Sequence, residues 1–157
     1  MDKQDMELAN KLNTDLSMAI ESGNAMAGKL KNKNLKNYLY THVEKYEDLQ
    51  NNLKKIVSTS NKKLKSTNFI TRAFAWMQVQ LSSFRKSEES DYVESFIKGS
   101  EMGIESSTHL LNKYSDADKK LKEIAFNLQT MELENVDKLT DYLKRTNYWF
   151  SPFFHVL

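Results

Sequence analysis

LKEIAFNLQTMELENVDKLTDYL, residues 121–143, reads as one long amphipathic helix. Leu121, Ile124, Ala125, Leu128, Met131, Leu139, Tyr142 and Leu143 recur at steps of three and four, so they line one face. Two polar residues, Glu132 and Asn135, interrupt that face. Positions three apart are neighbours on a helix. Helical bundles that hold two metal ions place a Glu-x-x-His pair in this way. Here the pair is Glu-x-x-Asn, either a worn metal site or one side of a satisfied polar layer. The other helices decide between the two.

The composition around this stretch favours helix. One proline and four glycines are few for 157 residues, and Glu, Lys, Leu, Met and Gln all favour helix. No alternating strand pattern appears. The length suits one domain, residues 1–157, with a core over about 3–145 and a tail over 146–157. The 23 basic and 21 acidic residues nearly balance, which gives no concentrated basic face for nucleic acid. Lys54, Lys55, Lys62, Lys63 and Lys65 read as a solvated helix end, with cations where the dipole favours them. Without cysteine there is no disulfide, thiol nucleophile or thiolate metal site. No apolar signal core follows Met1, and no run reaches transmembrane length. A cytoplasmic protein without membrane or nucleic-acid partners is the expectation.

Working outward, helix one is expected over about Lys3 to Leu30. Its stripe is Ala9, Leu12, Leu16, Ala19, Gly23, Met26 and Leu30, with Ile20 and Ala27 beside it. Gly23 inside a helix points to close approach of another helix or a bulky side chain. A polar turn over Lys31 to Asn34 leads to helix two, about Leu35 to Leu64. Its stripe is Leu35, Leu39, His42, Tyr46, Leu49, Leu53, Ile56, Ser60 and Leu64. The short turn predicts antiparallel packing. After a break at Lys65 to Asn68, a shorter helix over about Phe69 to Phe84 would span roughly 24 Å. It reads as a crossover, and its Trp76 and Met77 read as core or groove packing. Ser87 and Ser90 are candidate N-caps for helix three, which runs to about Tyr114. Val93, Phe96, Ile97, Ser100, Gly103, Ile104, Ser107, Leu110 and Leu111 face inward on it. Ser115-Asp116 starts helix four, which ends near Arg145. Tyr148, Trp149, Phe150, Phe153 and Phe154 make the tail too aromatic to be left in water.

The chemistry narrows by elimination. At about 100° per residue, Glu21 points nearly opposite the stripe of helix one. Glu44 and Glu47 lie off the stripe of helix two, and Glu101 flanks that of helix three. Only Glu132 points inward, so a metal ion, if bound, would rest on Glu132 and His42. His109 lies off the stripe and His155 in the tail. If helices two and three run the same way, His42, Ser100, Glu132 and Asn135 come within about two turns of one level. They then form a buried polar layer in which His42 pairs with Glu132 or Asn135, and Gly23 leaves room for the imidazole. A cavity beside Gly23 and Gly103 for a small ligand is a further expectation. No phosphate loop appears, because all four glycines fall inside predicted helices.

These residues resemble a bacterial ferritin-like family of unknown function. Leu12-Asn13 with Leu16, then Ser22-Gly23, resemble its first helix. Ile70 to Met77, with Trp76, resembles its crossover. Glu101-Met102-Gly103-Ile104-Glu105-Ser106, leading to Tyr114, resembles its third helix. Glu132 to Leu139 closes the fourth in a rubrerythrin-like way. The resemblance covers about residues 8 to 145. It implies an all-α, ferritin-like four-helix bundle with a crossover between helices two and three, and no established reaction. Ser22 in place of Asp, and Asn135 where a His would stand, count against metal. The resulting expectation is a non-catalytic structural or interaction protein without a cofactor. Its aromatic tail would pack over the bundle's own groove first, form a homodimer contact second, and bind a membrane surface as a distant third. The alternative is a di-iron or di-manganese carboxylate protein, an oxidase or iron handler, with a reduced ligand set.

Overall fold

A computed structural model describes residues 1–66 and 88–146. The expected crossover helix Phe69–Phe84 with Trp76 and Met77, the cap candidate Ser87 and the aromatic residues 147–157 lie outside the described residues. Among the described residues there are four helices and no strand. They are α1 (Lys3–Lys29), α2 (Lys33–Ser58), α3 (Glu89–Lys113) and α4 (Lys119–Arg145). None of them is long and apolar enough to cross a membrane.

Short polar side chains set most helix starts by binding backbone N–H groups that have no partner within the helix. Asp2 caps α1: its carboxylate accepts from Asp5 N–H at 2.9 Å, and Asp5 accepts from Asp2 N–H at 3.0 Å. Asn32 caps α2, accepting from Leu35 N–H at 3.1 Å. Asp118 caps α4, accepting from Lys120 N–H at 2.8 Å. Helix four therefore starts after Asp118 rather than at Ser115-Asp116. The preceding residues turn through an Ala117 N–H bond to the Tyr114 carbonyl. At α3 the cap is Glu88, whose N–H donates to Asp91 at 3.0 Å. Ser90, a cap candidate from sequence, is instead buried inside the helix.

Helix two ends six residues before the expected Leu64. Ser58 and Thr59 turn their hydroxyls back onto the carbonyls of Lys55 and Ile56. Asn61 takes a left-handed conformation, φ 54°. Such residues offer the backbone local bonds that compete with the helix. The apolar period through Ser60 and Leu64 runs past a break that the Ser-Thr-Ser-Asn chemistry imposes.

Two apolar clusters fill the bundle. The first joins Leu8, Leu12 and Leu16 of α1 to Leu49, Leu53 and Val57 of α2, Leu110 of α3, and Leu121, Ile124 and Leu128 of α4. The second joins Met26, Ala27 and Leu30 to Leu35, Leu39, Val93, Phe96, Leu139 and Leu143. At one end, therefore, lie the starts of α1 and α4 and the finishes of α2 and α3. Helices α1 and α4 run one way, and α2 and α3 run the other. Helix α1 packs along α2 and α3 along α4; lesser contacts join α1 to α3 and α2 to α4. The finish of α2 and the start of α3 thus lie at opposite ends of the bundle, roughly 40 Å apart by helix rise.

Carboxylates tie both ends. Asp5 also accepts from Asp118 N–H at 2.8 Å, which joins the starts of the two parallel helices. At the other end Glu89 accepts from Lys31 and Asn32 N–H at 2.6 and 2.9 Å and from the Tyr142 hydroxyl at 2.8 Å.

The glycines divide into two kinds. A β-carbon on Gly28 or Gly99 would meet nothing within 4 Å, whereas one on Gly23 would collide with a Val43 methyl. Alanine at Gly28 or Gly99 is expected to raise stability by up to about 1 kcal/mol through helix propensity. Alanine at Gly23 is expected to lower it by about 1 kcal/mol, since overpacking against a stiff β-branched side chain outweighs that gain. Urea unfolding of the three single variants checks the order; a stabilised Gly23 variant contradicts it.

Candidate functional site: a polar layer across the waist

Between the two apolar clusters, polar side chains from three helices converge. Asn135 of α4, fully buried, stands at the centre. Its Oδ1 accepts from the Tyr38 hydroxyl at 2.8 Å. Its Nδ2 donates to the Tyr46 hydroxyl oxygen at 2.9 Å and, more loosely, to Ser100 Oγ at 3.4 Å. Tyr46 and Ser100 in turn hydrogen-bond Glu132, one turn earlier on α4. The Tyr46 oxygen receives the amide proton, so its own proton goes to Glu132. A directed chain results, from half-buried Tyr38 through Asn135 and Tyr46 to a buried carboxyl.

Space for that carboxyl comes from Gly103. A β-carbon there would stand 2.9 Å from Glu132 Cγ and 3.0 Å from its Cδ. Burial pushes Glu132 up to about 7, against the pull of Ser100, Tyr46 and Asn135; the Asp15 charge pushes it further up. Asp15 of α1 is itself raised by burial, although it accepts from Ser106 at 2.7 Å. Burial also raises Tyr46 far above the usual phenol range. Tyr38 is pushed up to about 12, first by burial and then by Glu134, Glu132 and Asp137.

His42 lies in this layer, almost fully buried, but it bonds differently from the expectation. Its Nε2 has no hydrogen-bond partner, and its hydrogen bond runs to the Met131 backbone carbonyl. The ring meets the edge of Tyr46 at 4.9 Å and lies tilted 5.7 Å from Tyr38. Burial, then the Lys45 charge, pushes it down to about 4, so it stays neutral at ordinary pH. The hydrogen bonds that sequence reasoning assigned to His42 are made by Tyr46. Residues 38, 42 and 46 repeat every four positions on one helix face. That spacing could have marked both tyrosines as members of the layer, but Tyr46 reads equally as an apolar stripe residue.

Two further expectations are corrected. The space at Gly23 is taken by Val43 and Phe96 rather than by His42. At Gly103, where a small-ligand cavity was expected, the space beside the backbone is taken by the Glu132 side chain. Among the carboxylates set aside from sequence, Glu44, Glu47 and Glu101 are exposed and Glu21 is half-buried; His109 is exposed. A second polar seam joins α1 to α2, where Gln50 Nε2 donates to Ser17 Oγ at 2.8 Å and Asn13 Oδ1 at 3.1 Å.

The donor set does not fit a two-metal centre. The layer offers one carboxylate, with Asp15 of α1 near it but held by Ser106, and one imidazole, and the amide of Asn135 is already engaged. Among the described residues no three His, Asp or Glu side chains gather as a metal site would need. The chemistry this arrangement provides is a single titratable carboxyl set among hydroxyl and amide dipoles. No known protein family, curated protein or solved structure matches the chain.

Proposed function

We propose that this chain is a non-catalytic, cytoplasmic, ferritin-like bundle, a structural or interaction protein, in which a hydrogen-bonded polar layer replaces a two-metal centre. The helix order supports the reading. Helices α2 and α3 run parallel and connect end to end, as ferritin-like bundles with one long crossover do. The observation that carries it is Asn135. Both ends of its amide are bonded by side chains of α2, where a metal-binding histidine would need a free nitrogen. Such a layer selects one register among four similar helices, because sliding any helix by a turn leaves buried polar groups unpaired.

Metal analysis of protein purified without chelator tests this. Iron and manganese are expected well below one ion per chain, and the thermal midpoint should be unchanged by EDTA. Stoichiometric iron or manganese, lost in Glu132→Ala, would establish the carboxylate metalloprotein instead. The residues after Thr146 carry the second part of the proposal, a homodimer through the aromatic tail. Light scattering of the full chain and of a chain ending at Thr146 checks it; two identical monomer masses contradict it.

A further inference from the structure

Among the described residues no cation balances Glu132 in the waist. From α1 it faces Asp15, a carboxyl of like charge. Lys11, also on α1, acts on Asp15; helix α2 presents Tyr38, His42 and Tyr46, and its Lys45 bears on His42. Helix α3 presents Ser100 and the bare backbone of Gly103, with Glu101 and Glu105 exposed on its outer side. On α4 itself are Asn135 and, further out, Glu134 and Asp137. The Arg145–Asp141 ion pair lies at the exposed finish of α4. His42 has a neutral ring whose hydrogen bond runs to the Met131 backbone, and its Nε2 has no hydrogen-bond partner.

We propose that the layer is a two-sided proton latch: the helices close tightly over the waist while Glu132 carries its proton and His42 carries none, and they loosen when either group becomes charged. The physical reason is burial. An ion in a low-dielectric interior without a counter-ion is costly, and the cheapest relief is to admit water. On the α3 side the Glu132 carboxyl is bonded by Ser100 and packs against the bare backbone of Gly103, so opening there displaces α3.

The two groups act in opposite directions. Glu132 is raised from 4.5 to about 7 in the folded chain. Its stabilising contribution is complete below about 4.5 and is lost as pH rises through about 7. His42 is lowered from 6.5 to about 4. Its contribution is complete above about 6.5 and is lost as pH falls through about 4. The slopes oppose each other between these limits, so the wild-type chain should show a nearly flat stability there. Each single variant should expose the slope of the other group.

The inference rests on the metal-free reading of the layer. Metal content tests that reading, while the following experiment on metal-free protein tests the latch. Carbon-13 NMR of the glutamate carboxyls follows Glu132 directly, and amide hydrogen exchange, corrected for intrinsic rates, follows residues 96–107 and 128–135. Glu132 should titrate near neutrality. Protection of those segments should fall about tenfold or more from pH 6 to pH 9, and not in Glu132→Gln. In His42→Gln the opposing slope is gone, so urea unfolding should weaken steadily from about pH 4.5 to about pH 7 and level off above it. Titration of Glu132 in the ordinary carboxylate range overturns the latch, as does equal alkaline loosening in Glu132→Gln. The wild-type titration decides the matter even if a variant fails to fold.

Discussion

Replacing Asn135 with alanine is expected to lower the unfolding free energy by about 3–4 kcal/mol. The side chain is fully buried and bonds three hydroxyl-bearing residues on two other helices. Its removal withdraws donors from Tyr46 and Ser100 inside the bundle, and a buried unsatisfied polar group costs about 1–3 kcal/mol. A small cavity adds to this. Tyr38 adds little to that loss, because its half-buried hydroxyl can turn to water; Tyr38→Phe, which leaves the fully buried Asn135 Oδ1 without its donor, should cost about 1–3 kcal/mol. Asn135→Asp has nearly the same shape but brings a second carboxyl beside Glu132. Two carboxyls sharing a site cannot both ionise at low cost, so this variant should lose stability most steeply above neutral pH. Urea unfolding with an unchanged slope checks all three; a loss under about 1 kcal/mol for Asn135→Ala would mean that water replaces the amide freely.

Valine at Gly103 is expected to cost about 3 kcal/mol, even though valine is the better helix former. Its β-carbon would fall within 3.0 Å of the Glu132 side chain. Glu132 cannot simply swing away, because doing so gives up its bonds to Ser100 and Tyr46. Overpacking of about 1–3 kcal/mol and the lost bonds of a buried carboxyl therefore act together. Glu132→Ala in the same chain removes the side chain that clashes. The double variant should recover part of the loss, giving a coupling energy of about 1–3 kcal/mol. Additive losses would place the strain elsewhere on α3.

The reach of sequence reasoning can be judged residue by residue. Leu12, Leu16, Leu39, Leu53, Leu121, Leu128 and Leu139 follow the helical period, and each is buried. The all-helical class follows from that period and from the scarcity of glycine and proline. A glycine within the stripe, Gly23, marks a close approach in the sequence, and the neighbour that makes it is Val43. The polar interruption at Glu132 and Asn135 was visible as soon as the stripe was drawn. Its partners were not, because a tyrosine on an apolar face gives no sign of whether its hydroxyl is used.

Local chemistry determined the helices, most of their caps and which side chains turn inward. Those properties depend on residues three or four positions apart, close enough for propensity, period and capping to act without distant contacts. Pairing across the waist is of another kind. Asn135 meets Tyr38 at a separation of 97 residues and Tyr46 at 89. Whether the amide reaches Tyr46 or His42, four positions apart on the same face, is decided by the rotation and axial shift of α2 against α4. A shift of one turn, about 5 Å, exchanges one for the other. The combined packing of both apolar clusters sets that shift, so it became legible only when the four helices were in place.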